Sequence, residues 1–396
     1  MTSRLYRDFL WKDDSTRWHR LVKTLVSFSY VEEFTRVFFY WKNMIEHYTT
    51  TEQYMPTMAD IPRKHMEVLV ADMLAGKIDE GVMEYLLTRF TPDILTTDQL
   101  AGCVDGIVNS AAYLIDAEYY DEPVVVPVGT GGDMQSTVNI TTMAGFVMAA
   151  SGECKVALYG NKKASGKFGK MDLLESIGVS IDIDPDAIHE NFAECNIAPV
   201  YARRAFPNAG NVKGVRDHIG RPTLFNTAFP IASPIIGENV RMFVGVSDPK
   251  SMESMARISA KRGTQKSVFV HGVEERIDEV SPGETNFVFQ NQDTIDTKTI
   301  NIRELLQLPE IDFKYLQADK SDEFVSLFLR TLDPDEGDAQ LSAIRTIVAA
   351  NAAVGLFLSG NGEKGIEEEL QSLYIHAMDI ILSGNAQNTL ETLIHT

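Results

Sequence analysis

The chain has 396 residues, of which 44% are hydrophobic and 23% charged, so it can bury a sizeable core and is not a disordered polymer. A formal net charge of -20 opposes nucleic acid and anionic membrane surfaces as partners, and any anionic substrate must be held by a local basic island or a metal. Its cysteines, Cys103, Cys154 and Cys195, form no CxxC pair, which argues against a zinc site or a disulfide framework.

Residues 1–64 carry every tryptophan, Trp11, Trp18 and Trp41. The apolar spacing of Phe34, Val37, Phe38, Trp41 and Ile45 predicts amphipathic helices there, an extra segment serving as added core or a dimer surface. Charges at Arg4, Arg7, Asp8 and Lys12 leave no stretch resembling a signal peptide, and no segment reads as a membrane span. A soluble cytoplasmic protein is expected.

Residues 65–120 also read as helical. The run from Met66 ends at Gly76, a natural helix stop, and Thr96 offers a cap before the run from Gln99. The texture changes at Pro123. Short β-branched runs at 124–128, 155–159, 179–183 and 267–271 predict buried strands. Helical stretches at 143–150, 185–195, 339–358 and 366–382 lie between and after them. Alternating strands and helices predict an α/β domain over 121–396 with a mainly parallel sheet.

Three strand ends carry unusual chemistry, and ligands bind beyond the carboxyl ends of such strands. The first is Gly129-Thr130-Gly131-Gly132-Asp133, followed by Thr137, Asn139, Thr141 and Thr142 at the start of an apolar helix. Glycines permit a sharp turn and close backbone approach, and a hydroxyl-rich helix N-terminus suits an anion. The second, Asn161 to Lys170, belongs to a stretch from Lys155 with five lysines and no acid. This is the basic island the net charge calls for. It is not a P-loop, because the glycine spacing is one residue too long and Phe168 stands where a magnesium-binding hydroxyl belongs. The third is Glu274-Glu275-Arg276-Ile277-Asp278-Glu279. Adjacent carboxylates at a strand end suit magnesium, which shares its coordination with substrate phosphates. A fourth segment holds Arg203, Arg204, Lys213, Arg216 and Arg221, with Asp217 its sole acid. Any one of these alone fits a glycine turn or surface charge. Together they predict an α/β enzyme that binds a pyrophosphate-like group through glycines, lysines and Mg2+.

In order and content these segments resemble the anthranilate phosphoribosyltransferase family. The resemblance rests on Gly129 to Asp133 with Thr137, Asn139, Thr141 and Thr142. It rests also on Val270-His271-Gly272 with Asp278, Glu279, Ser281, Gly283 and Thr285, and on Met73 to Ile78, Leu100 to Cys103, Asn351-Ala352-Ala353 and Ser383 to Ala386. It covers roughly residues 65–396. It implies a small all-helical domain, completed in space by helices from about 211–232, beside a large α/β domain of the nucleoside phosphorylase/phosphoribosyltransferase class. It implies a homodimer that transfers phosphoribose from 5-phosphoribosyl 1-diphosphate to the amine of anthranilate. The donor would meet Gly129, Thr130, Gly131, Gly132, Asp133, Thr137, Asn139, Thr141, Thr142, Lys162, Ser165 and Lys170. The acceptor would meet Gly129, Tyr159, Asn161 and Arg216, and Mg2+ would sit at Thr141, Asp278 and Glu279.

The sequence departs from the family's pattern at the second strand end. Leu158 and Tyr159 stand where the family has lysine and histidine, Lys170 stands for a serine, and Ala228-Phe229-Pro230 for Leu-Gly-Pro. Lys170 or Lys162 is a candidate to restore the lost charge. Three rival readings stay open: the same donor with another acceptor, a pyrimidine nucleoside phosphorylase, and a non-catalytic nucleic-acid-binding relative.

Overall fold

A computed structural model describes residues 61–396, apart from 93, 132, 134, 163–167 and 361–364. The expected helices of residues 1–60 therefore lie outside the described residues.

Helices α1 (Arg63–Leu74), α2 (Glu80–Arg89) and α3 (Thr97–Val108) open the described chain. The expected cap is real: Thr96 and Gln99 bond each other's backbone N–H in a capping box. α1 and α3 lie against each other because Gly102 and Gly106 have no Cβ. A Cβ on Gly102 would overlap the carbonyl oxygen of Arg63, and one on Gly106 that of Glu67. A two-residue strand, β1 (Ile115–Asp116), then leads into the sheet.

The α/β part runs β2 (Val124–Gly129), α4 (Ile140–Ala150), β3 (Lys155–Gly160), α5 (Lys170–Ser176), α6 (Pro185–Cys195) and β4 (Ile197–Tyr201). Next come α7 (Ala202–Ala205), α8 (Gly210–Ile219), α9 (Leu224–Ile231), β5 (Ile235–Ile236), β6 (Val240–Gly245), α10 (Met252–Lys261) and β7 (Lys266–Gly272). The hairpin β8 (Glu284–Asn291) and β9 (Thr294–Asn301) follows, then α11 (Ile302–Leu306), α12 (Ser321–Leu332), α13 (Ala339–Ser359), α14 (Ile366–Leu382) and α15 (Asn385–His395). β5 pairs with β1 outside the main sheet.

The main sheet has seven strands in the order β4-β3-β2-β6-β7-β8-β9. β4, β3, β2, β6 and β7 are mutually parallel, and β8 and β9 are antiparallel additions. The α/β class and the mainly parallel sheet are as expected. The expected strand at 179–183 does not form; those residues are a loop with Val179 and Ile181 tucked into the core. An apolar alternation can be satisfied by burial without a ladder. Four strands of the main sheet went unforeseen, besides the short β1 and β5. β4 contains Pro199, β6 contains Arg241, and β8 and β9 are rich in polar residues.

From β2 the chain builds outward one way through β3 and β4. It then returns to the other side of β2 with β6 and β7. The order reverses between β2 and β6, and their last residues, Gly129 and Gly245, are register partners. In such sheets the crevice at this reversal is where ligands bind.

Two apolar layers sandwich the sheet. One face is covered by α4, α12, α13 and α14. The other is covered by α1, α2, α3, α9 and α10. α9 packs on α3, and α8 on α1 and α2. α13 is long and apolar enough to cross a membrane, but 89% of its most apolar window is buried within the protein, which makes it the core helix of this layer.

Gly102→Ala tests the α1–α3 contact. Because the obstacle is backbone, the helices must separate, and the substitution is expected to cost about 1–3 kcal/mol in denaturant unfolding. An unchanged midpoint would show that the two helices are not held by this approach.

Candidate active site

β2, β6 and β7 end side by side, and the segment 277–280 after β7 folds back over them. Three glycines make that possible. A Cβ on Gly129 would lie 2.6 Å from Asp278 Oδ2, one on Gly245 would overlap the Asp278 carbonyl, and one on Gly272 would lie 2.6 Å from Ser281 Cβ. The N–H of Gly131, at φ +62, donates to Asp278 Oδ2 at 2.8 Å. Thr130 Oγ1 accepts from Ser247 N at 2.9 Å, which ties the loop after β2 to the loop after β6. His271 Nδ1 meets the Val246 carbonyl at 2.8 Å, joining β7 to the same loop.

Glu279 Oε1 accepts from both Thr141 N (3.1 Å) and Thr141 Oγ1 (2.9 Å). The free N–H at the start of α4 is thus met by the chain's own carboxylate, at the positive end of the helix dipole. Its other oxygen, Glu279 Oε2, is buried without a partner, as are Asp133 Oδ2 and Asn139 Oδ1. Burial and the nearby Asp278 push the Glu279 carboxyl well above the usual range. Burial and then the facing Asp133 push Asp278 up to about 6.

Buried acceptor oxygens without a donor, beside the like charges of Asp133, Asp278 and Glu279, are the chemistry a hard cation satisfies. Among the described residues no group of three or more His, Cys, Asp or Glu side chains is placed to hold a metal ion by itself. An oxygen-only pair left open to waters and phosphate oxygens is the arrangement magnesium uses. The donor set therefore fits Mg2+.

Lys170 decides the fate of the basic island. It starts α5, and its Nζ lies under the strand ends, donating to Pro127 O at 2.6 Å and Tyr159 O at 3.2 Å. Burial lowers its pKa to about 8, opposed by the attraction of Glu279 and Asp278. Lys162 instead reaches away from the strand ends to Glu175, 2.7 Å from both oxygens. Gly132 and Ser165 lie outside the described residues.

The remaining expected residues divide. Gly129 and Asn161 are exposed at the strand ends, and Asn161 Oδ1 accepts from Lys162 N at 3.0 Å. Thr137 bridges Gln317, and Thr142 is 1% exposed within α4. Tyr159 is sealed in the apolar layer, 3% exposed, with its ring edge-on to Phe206 and its hydroxyl donating to Phe229 O at 3.3 Å. In this arrangement it supports α9 and offers no open surface.

Arg216 lies over Phe225 and Phe229, 5.7 and 5.9 Å from their ring centroids. Its Nη2 donates to Asn226 Oδ1 at 3.4 Å, and burial lowers its pKa. Among the described residues no carboxylate pairs with it. Three others of that basic segment are engaged: Arg204 with Asp182, Lys213 with Asp217, and Arg221 with Thr88 O.

The sequence reading named Asn351 and Ser247 no part of the site, yet both bond its loops. Asn351 bonds Val280 from within α13, and Ser247 bonds Thr130. A buried asparagine in an apolar helix was the available signal for the first. Nothing in the sequence marked the second.

Glycine-turned strand ends, a buried carboxylate pair and a lysine at a sheet reversal define an α/β glycosyltransferase site. The family described as "Glycosyl transferase family, a/b domain" matches residues 121–387. Anthranilate phosphoribosyltransferase of Thermomicrobium roseum is 32% identical over 333 residues, covering 83% of this chain and 90% of that protein. The same enzyme of Oceanobacillus iheyensis is 28% identical over 339 residues, covering 85% and 94%. The crystal structure of the Thermus thermophilus enzyme superimposes with a TM-score of 0.75 at 25% identity, covering 85% of this chain and 95% of that one. The Saccharomyces cerevisiae enzyme in complex with PRPP and Mg has the same fold, with a TM-score of 0.72 at 21% identity and coverage of 85% and 93%. The chain belongs to the anthranilate phosphoribosyltransferase family.

Because the Asp278 pKa is raised, folding disfavours its ionised form. That cost is absent below about pH 4, the ordinary aspartate value, and complete above about pH 6. Asp278→Asn removes it. The variant without added metal is expected to be more stable than the parent at pH 7.5, with the advantage shrinking toward pH 5. A stability difference that stays constant across this range would sink the assignment.

Proposed function

We propose that this chain transfers the phosphoribosyl group of 5-phosphoribosyl 1-diphosphate to the amine of anthranilate and releases pyrophosphate, a step of tryptophan biosynthesis. The observation that carries the reading is a pair of features at the β2/β6 reversal. Lys170 lies under the strand ends in the field of Asp278 and Glu279, and Asp133 Oδ2, Asn139 Oδ1 and Glu279 Oε2 are buried acceptors without a partner. A magnesium–pyrophosphate group carries both the cation and the anionic oxygens that these two features call for.

The bond from the anomeric carbon to the pyrophosphate oxygen breaks, and a bond to the acceptor nitrogen forms. The backbone N–H groups after β2, with Thr137 and Thr142 nearby, would bind phosphate and ribose oxygens. Asp278 and Glu279, with Thr141, would hold Mg2+, which neutralises charge on the departing pyrophosphate when bound. Lys170 would add a fixed positive charge beneath it, in place of the lysine that Leu158 replaces. Aromatic amines are largely unprotonated at neutral pH, so the attacking nitrogen needs no strong base. Positioning and electrostatic stabilisation would supply the rate.

Arg216 would bind the acceptor carboxylate, because it is a shielded guanidinium with no acidic partner among the described residues. Asn161 and Gly129 would complete the acceptor's surroundings. The partly exposed ring of Phe229, stacked on Phe225 at 5.3 Å beside Arg216, favours a planar aromatic acid. It also supports a second reading in which another aromatic amine is the acceptor. We further propose a cytoplasmic homodimer.

A pyrophosphate-release assay with the donor, Mg2+ and a panel of aromatic amines tests the function. Turnover with anthranilate supports the first reading, turnover with another amine alone supports the second, and uridine phosphorolysis without transfer overturns both. Lys170→Met is expected to raise the donor KM about 10- to 100-fold, the worth of a charged hydrogen bond. Unchanged KM would remove Lys170 from the donor site. Arg216→Gln is expected to raise the acceptor KM at least about 10-fold and leave the donor KM alone. A shift in donor KM alone would contradict that role.

A further inference from the structure

α13 is apolar almost throughout and sits at the centre of one core layer. Asn351 interrupts it, and the residue is 0% exposed. Asparagine is a weak helix former, and a buried amide needs partners for all its polar atoms. Its partners are specific. Nδ2 donates to Val280 O at 3.1 Å and to Ile347 O at 2.9 Å, and Oδ1 accepts from Val280 N at 3.1 Å.

Val280 directly follows the carboxylate pair, in the irregular stretch between β7 and β8. Neither of its peptide groups can join a sheet ladder, yet its side chain is 0% exposed. Unpaired buried backbone groups are strongly disfavoured. An amide side chain is well suited to serve both groups of one residue, because it donates and accepts at adjacent atoms. The same helix also reaches Glu279 by a second route. Gly355 lets Met148 of α4 come against α13, where a Cβ would overlap its sulfur, and Thr141 at the start of α4 holds Glu279. Val280 directly, and Glu279 through α4, are therefore held from α13.

We propose that Asn351 is the positioning residue of the Asp278–Glu279 pair, setting where the two carboxylates stand relative to the β2 and β6 ends. It touches no substrate. The assignment rests on the reading of that pair as the magnesium–pyrophosphate site. Without the amide the Val280 peptide has no partner at its place, and the 278–280 segment must shift to find one.

The test uses the full chain and titration calorimetry with Mg2+ and inorganic pyrophosphate, below the unfolding range of every variant. Asn351→Leu keeps the side-chain volume and removes both bonds. Asn351→Ser keeps one hydroxyl and serves if the leucine variant does not fold. Leu356→Ala, a buried position one turn and a residue further along α13, is the control for destabilisation alone. Asn351→Leu is expected to weaken magnesium–pyrophosphate binding at least tenfold, Asn351→Ser less, and Leu356→Ala by less than twofold although it melts earlier. Wild-type binding by the Asn351 variants, or an equal loss in Leu356→Ala, would overturn the assignment. Failure of the wild-type chain itself to bind would instead overturn the magnesium–pyrophosphate reading, and this assignment with it.

Discussion

The structure turns on one close approach: the segment 277–280 lies directly against the ends of β2 and β6. Gly129 and Gly245 carry no Cβ, and any side chain there would meet Asp278. The approach brings Asp278 and Glu279 together beside Asp133, where like charges repel and burial penalises the ionised forms of Asp278 and Glu279. A fold tolerates such a cluster only when its surroundings hold it in place. Here Gly131 N–H, Thr141 and the Asn351 clamp do so.

This cost has a functional logic. A site prepared for a cation and a polyanion is poorly satisfied without them. The orphan oxygens of Asp133, Asn139 and Glu279 are the unsatisfied half, and Lys170, held among strand-end carbonyls, is the complementary charge. The chain's overall charge of -20 makes this local arrangement necessary, because the protein as a whole repels the ligand it is proposed to bind.

The departures from the family's pattern acquire a physical meaning. A positive charge absent from β3 at Leu158 is present at the start of α5 as Lys170, and it meets the carbonyls of β2 and β3. Tyr159 props α9 through Phe229, and Phe229 brings an aromatic face beside Arg216. The changes thus fall in two places, a charge beneath the strand ends and the packing around α9.

Much was legible in the sequence because it is local. Glycine spacing, adjacent carboxylates, hydroxyls at a helix start and the long apolar helices are carried by neighbouring residues, and the α/β class follows from their alternation. The four unforeseen strands, and the loop at 179–183 where a strand was expected, depend on pairing partners far along the chain. Tertiary structure alone distinguished Lys162 from Lys170, which look equivalent until Glu175 captures one and the strand-end carbonyls the other. It alone linked Asn351 to Val280 and Ser247 to Thr130, across 71 and 117 residues. The sequence by itself determined which chemical groups are available. The fold decided which of them meet, because charge pairing and burial depend on distances that only the packed chain sets.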